Sequence, residues 1–358
     1  MHNITANHLI NSWQARYTPD FSTLTLKEDK INFHELMKLT SSKGREKTAS
    51  EVQRLLDLKC EIAGIRSNII FSYIPNIVKL TDYKHLSQYI QQIYHHLMEI
   101  YKQQPPLSLP ASISNTEKVF LSAVNISGDF FKQWVTPVVR LPTVQQVFRE
   151  LQPKIEQLRI EHLSTGDRRA IGFVSTQFHF STTFILNQLQ LSEQVLLSPY
   201  FKFVEEQVCI PWQRVCEAAA QHTPGSRKLA LVQQILPASG EIAVNVHRRA
   251  CQMYPNHRSR RGKLNEQGVK ASSIRDIEMF QAYLWLCVLE DSMAAIEKEL
   301  LPLCVLVFPS IDVDWELVEQ IVPLLIDEFR VRMKPEQMLL LQPYTEAMQQ
   351  LFGDASHI

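Results

Sequence analysis

The stretch Met279-Phe280-Gln281-Ala282-Tyr283-Leu284-Trp285-Leu286-Cys287-Val288-Leu289 decides the fold of this 358-residue chain. Gln281 is the only polar residue in it, so a helix formed here is apolar on nearly every side. Such a helix belongs in the middle of a domain rather than on its surface. We therefore expect a helix over about 273–300 at the centre of a bundle, with Ser273-Ile274-Arg275-Asp276 able to cap its start.

The composition favours helices over strands throughout the chain. Glycine is scarce, at 10 residues, and proline outnumbers it, at 18. Few glycines leave few positions for positive φ and hence few tight hairpins. Together with repeated three- and four-residue apolar spacings, this predicts an all-α, multi-helix bundle with a smaller N-terminal helical unit.

Two long helices are predicted in the N-terminal third. The capping box Thr48-Ala49-Ser50-Glu51 predicts a helix from Thr48 to about Ser72, with apolar pairs following at seven-residue intervals. A second helix then carries a regular apolar stripe, and the two are expected to pack as a hairpin. The stripe consists of Leu86, Tyr89, Ile90, Ile93, Tyr94, Leu97 and Tyr101.

A proline-rich segment, 103–110, interrupts all periodicity. Its three prolines favour an extended connector and resist helix. We place a domain boundary near 103–114, between an N-terminal helical unit (1–103) and a larger helical bundle (115–358).

The larger bundle is expected to be a succession of helices. We predict them over about 117–135, from Thr143, after Gly166-Asp167, from Ser198-Pro199 with a kink at Pro211, over about 226–254 and over the last two apolar-periodic segments. The aromatic and β-branched segment 178–184 is also compatible with a short strand. A polar loop is expected from Asn256 to Lys270.

The sequence predicts a soluble, cytoplasmic protein without a membrane span. Its longest dense apolar run, Leu300 to Ile311, contains two prolines and is far shorter than the ~20 residues that a spanning helix needs. Residues 1–17 lack the apolar core of a signal peptide. None of the six cysteines forms a CxxC pair, so we expect reduced thiols in the core.

A basic patch over 247–263 is the main candidate for function. No acidic residue interrupts it, although the chain as a whole balances 37 Lys and Arg against 37 Asp and Glu. Arginine matches carboxylate and phosphate geometry, so the patch predicts an anionic partner. The candidate partner-binding residues are Arg248, Arg249, His257, Arg258, Arg260, Arg261 and Lys263.

Pairing within the protein is the alternative explanation of this patch. The chain contains two local acidic clusters that could neutralise it, Asp312 to Glu319 and Glu290-Asp291. We nevertheless expect the arginines to keep their guanidinium groups in water, because they fall at a helix end and in a polar loop.

Catalytic motifs are missing from the sequence. It contains no glycine-rich nucleotide loop, no HExxH zinc motif and no GxSxG nucleophile elbow. His95, His96 and Glu99 do not make a metal site, so we predict neither a metal nor a cofactor. Cys251 is the one thiol whose thiolate nearby arginines would favour. Whether the protein is an enzyme stays undecided, and the missing motifs favour a non-enzyme.

Three functions remain open at this point. The first is a non-enzymatic interaction or regulatory protein that engages an acidic protein surface through the basic patch. The second is a nucleic-acid-binding protein that uses the same patch, with a helix-turn-helix at the N-terminus flanked by Lys38, Lys43, Arg45 and Lys47.

The third is a carrier or enzyme with a pocket for a flat cofactor. Aromatic residues would line it, with His162 and His179 as axial ligands. These aromatic residues are Phe173, Phe178, Phe180, Phe184, Tyr200, Phe201 and Phe203. The sequence does not specify the oligomeric state.

Overall fold

The computed structural model describes residues 31–72, 80–106, 125–126, 144–158, 160 and 169–355, together with six residues near the N-terminus. Those six are Leu9, Asn11, Trp13, Gln14, Arg16 and Tyr17. Within these ranges the protein is a bundle of packed helices, and its strands are two residues long. The predicted all-α, multi-helix fold is confirmed.

The described helices are numbered in chain order. They are α1 (Phe33–Leu39), α2 (Ser42–Phe71), α3 (Leu80–Lys102), α4 (Val144–Leu158), α5 (Arg169–Leu186), α6 (Leu191–Cys209), α7 (Trp212–Ala220), α8 (Arg227–Ile235), α9 (Ser239–Met253), α10 (Gln267–Glu290), α11 (Leu301–Val307), α12 (Trp315–Arg332) and α13 (Pro335–Asp354). A π-helical turn, Ile296–Leu300, precedes α11.

Four short strands form two antiparallel pairs. β1 (Ile31–Asn32) pairs with β2 (Asn125–Ile126), and β3 (Arg258–Ser259) pairs with β4 (Gly262–Lys263). The helix predicted over 117–135 is therefore wrong at 125–126, and the rest of that segment lies outside the described residues. The β3–β4 hairpin replaces part of the polar loop expected after α9.

Helix α10 lies at the centre of the bundle, as its sequence predicts. It packs against α7, α8, α9 and α13. The fully buried Trp285 contacts Phe329 of α12 with ring centroids 5.0 Å apart, and Phe280 contacts Phe352 of α13 at 5.1 Å. Its predicted start was wrong, because α10 begins at Gln267 and Ser273 lies inside it.

Helix α2 begins six residues before the predicted start. Ser41 caps it by accepting a hydrogen bond from the Gly44 amide at 3.1 Å. The Thr48 hydroxyl, expected to cap a helix, instead donates to the buried Glu193 carboxylate of α6 at 2.9 Å. The helix ends at Phe71, close to the predicted Ser72.

The predicted packing of α2 against α3 is confirmed, and every residue of the predicted α3 stripe is buried. Helix α2 also packs along α5, and the Gln177 amide of α5 donates to the Ser87 hydroxyl of α3 at 2.6 Å. The domain boundary near 103–114 falls mostly outside the described residues and stays a prediction.

Two other helix boundaries differ from the prediction. Helix α6 begins at Leu191 with a capping box between Gln190 and Glu193, and Pro199 lies inside it rather than at a start. After Cys209 the chain is extended at Ile210, so a break separates α6 from α7 where a kink was expected.

The remaining helices agree better with the sequence. Helices α4 and α5 follow the predicted segments, and residues 178–184 are helical rather than a strand. The helix predicted over 226–254 is present, interrupted by a 3-10 turn at Leu236–Ala238.

One described stretch, Arg227–Met253, is long and apolar enough to cross a membrane by length and composition. Half of its most apolar part is buried inside the protein. Core helices of soluble proteins meet the same criteria, so this is weak evidence of a membrane span.

Candidate functional site

The β3–β4 hairpin organises the centre of the predicted basic patch. Arg258 lies directly opposite Lys263, and Ser259 lies opposite Gly262. Gly262 has a φ of +129°, which favours glycine, and a Cβ there would also clash with the Glu266 carboxylate. The Ser259 hydroxyl closes the turn by donating to the Gly262 carbonyl at 3.2 Å. The hairpin is therefore a defined structure and not an irregular loop.

Several patch residues pair with acids of the same chain. Arg260 Nε lies 3.1 Å from Asp312, and the Arg260 amide also donates to the Ile311 carbonyl at 3.0 Å. The nearly buried His257 has Nδ1 3.0 Å from the Asp314 carboxylate. These contacts fasten the hairpin to the turn before α12. They confirm, for Asp312 and Asp314, the alternative that the patch is neutralised by acids of the same chain.

Arg249 also has an acidic neighbour, although not one that the sequence singled out. Its guanidinium lies 2.8 Å from Asp327 on α12, and both side chains are partly exposed. Exposed ion pairs contribute only about 0–1 kcal/mol to stability. The charge of Arg249 is thus neutralised by a pair that contributes little to the stability of the fold.

Arg261 departs from the expectation that the patch arginines stay in water. Its side chain turns inward, where Nη1 donates to the Ser272 hydroxyl at 2.7 Å and the guanidinium lies 5.7 Å from the Phe180 ring centroid. Burial and the positive charges of Arg275 and Arg66 lower the pKa of Arg261 to about 10. Arg261 is therefore half-buried rather than fully in water.

The exposed cations of the patch are Arg248, Arg258, Arg260 and Lys263, and of these Arg260 pairs with Asp312. Arg248 donates to the Asn245 side-chain oxygen at 3.2 Å. Neither Arg258 nor Lys263 has an ion pair with any described residue. Because residues directly opposite in an antiparallel pair project from the same face, their two positive charges lie side by side.

A small cavity lies beneath the hairpin and encloses about 80 Å³. Its wall is mainly apolar and includes Leu264, Ile277 and Phe280, while Arg261 and Asp276 contribute charge. Burial raises the pKa of Asp276 above its usual value, although the adjacent Arg275 opposes this shift.

The aromatic residues proposed to line a cofactor pocket do not lie around the cavity under the hairpin. Phe173, Phe178, Phe201 and Phe203 are fully buried in the core, and none of the predicted aromatic residues lines the cavity under the hairpin.

Phe180 and Phe184, two more of those aromatic residues, stack on each other with the Arg66 guanidinium 5.2 Å from the Phe180 centroid. Of the two proposed axial histidines, His162 lies outside the described residues. His179 Nδ1 lies 3.5 Å from the Glu205 carboxylate of α6.

The remaining proposals from the sequence concern a helix-turn-helix, a reactive Cys251 thiol and a metal site. Arg45, expected beside a helix-turn-helix, is buried with its guanidinium 4.7 Å from the Tyr101 ring centroid, whereas Lys43 and Lys47 are exposed. Burial raises the pKa of the Cys251 thiol, so its thiolate is disfavoured. Among the described residues, no group of three or more His, Cys, Asp or Glu could hold a metal ion.

Sequence reasoning missed Arg66, Arg275 and Phe180 as neighbours of Arg261. They come from α2, α10 and α5, which are far apart along the chain. No local pattern connects these residues.

Comparisons with protein-family models, curated proteins and solved structures find no match.

Proposed function

We propose that this protein is a non-enzymatic interaction or regulatory protein that engages an acidic protein surface through the exposed face of the β3–β4 hairpin. The contact residues are Arg258 and Lys263, together with the exposed Arg248 of α9. One observation carries the proposal: two like charges stand directly opposite each other, and neither side chain has an ion pair with a described residue, while the Glu266 carboxylate accepts a hydrogen bond from the Lys263 backbone amide at 3.0 Å. Like charges in that position are destabilising in an isolated protein, and a carboxylate between them relieves the repulsion.

The surroundings of the hairpin support this use of its charges. Arg260 and His257 pair with Asp312 and Asp314, so the hairpin is held in place before any partner arrives. A preordered surface loses less conformational entropy on binding. Arg258 and Lys263 therefore differ from their neighbours in having charge available for a second molecule.

A nucleic acid is the second candidate partner, and the local chemistry favours it less. Tyr254, the nearby aromatic residue, already donates its hydroxyl to Glu316 at 3.3 Å. Stacking aromatics normally supply much of single-strand affinity.

A cytoplasmic location belongs to the same proposal. All six cysteines are free thiols in the structure, which fits a reducing compartment.

Charge reversal on the hairpin tests the proposal with defined probes. Binding of labelled poly-glutamate and of labelled DNA and RNA oligonucleotides is measured by fluorescence anisotropy for the wild type and for Arg258→Glu/Lys263→Glu. We expect poly-glutamate affinity to fall by about 10-fold or more, because attraction becomes repulsion at the same place.

Lys43→Glu/Lys47→Glu is the matched control, since it changes the net charge equally at two exposed lysines of α2. It should leave poly-glutamate binding unchanged. Equal losses in both variants would reduce the effect to net charge and defeat the proposal. Tighter, steeply salt-dependent oligonucleotide binding that the hairpin variant loses would favour the nucleic-acid alternative.

A further inference from the structure

Helix α2 has a second apolar face that points away from the core. Leu58, Ile62, Ile65 and Ile69 are 57%, 38%, 43% and 66% exposed. Their spacings of four, three and four residues place them on one line along the helix. We call these four residues the outer stripe.

The outer stripe lies opposite the face that α2 buries. Leu56, Cys60, Ala63 and Ser67 are buried along the inner face. At 3.6 residues per turn, the centres of the two faces are roughly 160° apart. The outer stripe is therefore not a margin of the core.

A contiguous exposed apolar patch of this kind marks an interaction site more often than isolated surface aliphatics do. The spacing is that of a coiled-coil seam, with Ile62 and Ile69 at a positions and Leu58 and Ile65 at d positions. Isoleucine at a with leucine at d favours two strands, a pattern from which Ile65 departs.

Charged residues beside the outer stripe identify what covers it. In this register Lys59 and Arg66 occupy e positions, and Glu61 occupies a g position. In a parallel pair of identical helices, each g residue faces the e residue of the following heptad. Glu61 of one copy then meets the exposed Arg66 of the other, whose guanidinium also lies 5.2 Å from the Phe180 ring centroid of its own chain. The two-fold axis repeats the pair.

The antiparallel arrangement is less favourable, because it sets Lys59 of each copy against Arg66 of the other. The parallel arrangement also sets Arg54 of each copy against Lys59 of the other, so the two-fold axis repeats this like-charged pair as well. Arg54 is highly exposed there and lies 3.9 Å from Glu51 of its own helix, which tempers that repulsion. A lipid surface would gain nothing from Glu61 beside the seam.

We infer that two copies of this protein associate through a parallel two-stranded seam formed by the outer stripe of α2. The seam is formed by residues of α2 and the proposed partner surface by Arg258 and Lys263, although Arg66 beside the seam also lies near Arg261 of the hairpin. The apolar contact supplies the affinity, and the Glu61–Arg66 pairs set the orientation.

Analytical ultracentrifugation over a range of micromolar concentrations tests self-association. The wild type should form dimers. Ile65→Lys should raise the dissociation constant of the dimer by about 10-fold or more, because two ammonium groups would meet across the two-fold axis. Leu339→Lys is the matched control, since Leu339 on α13 is 68% exposed and lies outside the stripe. A wild type that stays monomeric, or a control that dissociates equally, overturns the inference.

A charge swap tests the orientation and remains informative if Ile65→Lys fails to fold. Glu61→Lys and Arg66→Glu should each weaken dimerisation, and the double variant should restore it. Ile62→Cys should cross-link under mild oxidation, because an a residue meets its own copy in a parallel pair. Failure of the double variant to restore dimers overturns the parallel register. Wild-type binding to phosphatidylcholine–phosphatidylglycerol vesicles without dimers assigns the stripe to lipid instead.

Discussion

Replacing Arg16 by methionine should destabilise the protein severely, because Arg16 neutralises two buried carboxylates. Its Nη2 lies 3.2 Å from Glu206 on α6 and 2.9 Å from Glu278 on α10, and these three side chains are 6% exposed or less. Its Nη1 donates to the Ser239 hydroxyl, and the guanidinium lies 4.5 Å from the Trp212 ring centroid. Although burial disfavours the charged form, the two carboxylates raise the pKa of Arg16.

The expected loss follows from the charge left behind. Glu206 keeps the hydrogen bond from the Tyr17 hydroxyl at 2.8 Å and an ion pair with Lys202 at 3.8 Å, whereas Glu278 has no ion pair with another described residue. Removing one partner from a buried ion pair costs about 3–5 kcal/mol, since an uncompensated charge stays in the interior.

Urea denaturation followed by far-ultraviolet circular dichroism measures the effect. Arg330→Met is the control, because Arg330 is 66% exposed and pairs with Asp327 at 3.3 Å, so about 0–1 kcal/mol is expected. Adding Glu206→Gln and Glu278→Gln to Arg16→Met should recover part of the loss. A loss below about 1 kcal/mol for Arg16→Met would refute the reasoning from buried charge.

Three further predictions concern helix packing, a buried hydrogen bond and pH. In thermal denaturation, Gly64→Ala should lower the melting temperature, because its Cβ would lie 2.5 Å from the Ser87 hydroxyl. The control Gly353→Ala meets open space and should stabilise the protein by about 0.5–1 kcal/mol. Equal effects of the two substitutions would contradict this packing. Thr48→Val should cost about 1.5–3 kcal/mol in urea denaturation by removing the hydrogen bond to the Glu193 carboxylate, and a neutral result would count against that bond. Burial and the charge of Lys270 lower the pKa of His247. The contribution of His247 to the stability of the folded protein is therefore complete above the unfolded pKa of about 6.5. It is lost as the pH falls toward the lower pKa of the folded state. His247→Leu should flatten the fall in stability between about pH 7 and pH 5, and an unchanged slope would show that other groups control it.

Apolar periodicity predicted the helices that the core depends on. Helix α10 is apolar on nearly every side and is central, and the stripe of α3 is buried as its spacing requires. Burial of apolar area is the largest favourable term in folding, so a pattern that reports it is informative.

Capping patterns predicted helix starts less well. Thr48 and Ser273 have the residue type of a cap but lie inside longer helices. Ser198-Pro199 also lies inside a helix, in α6. Thr48 shows the physical reason, because its hydroxyl gains a buried tertiary partner in Glu193 that a local pattern cannot reveal.

The candidate site was predictable only in part. Clustered charge in the sequence identified both the patch and the acids that neutralise Arg260 and His257. The inward turn of Arg261 depends on Phe180 and Ser272, which separate helices supply. To predict that Arg258 lies opposite Lys263, the register of the hairpin must be known. That register depends on the positive φ of Gly262.

Recovery of partners from extract of the native host tests the central claim most directly. The wild type, Arg258→Glu/Lys263→Glu and the control Lys43→Glu/Lys47→Glu serve as bait, each first shown to be folded. The account predicts that the wild type and the control recover the same acidic protein and that the hairpin variant does not. Recovery of that protein by all three would contradict a role for the hairpin in binding.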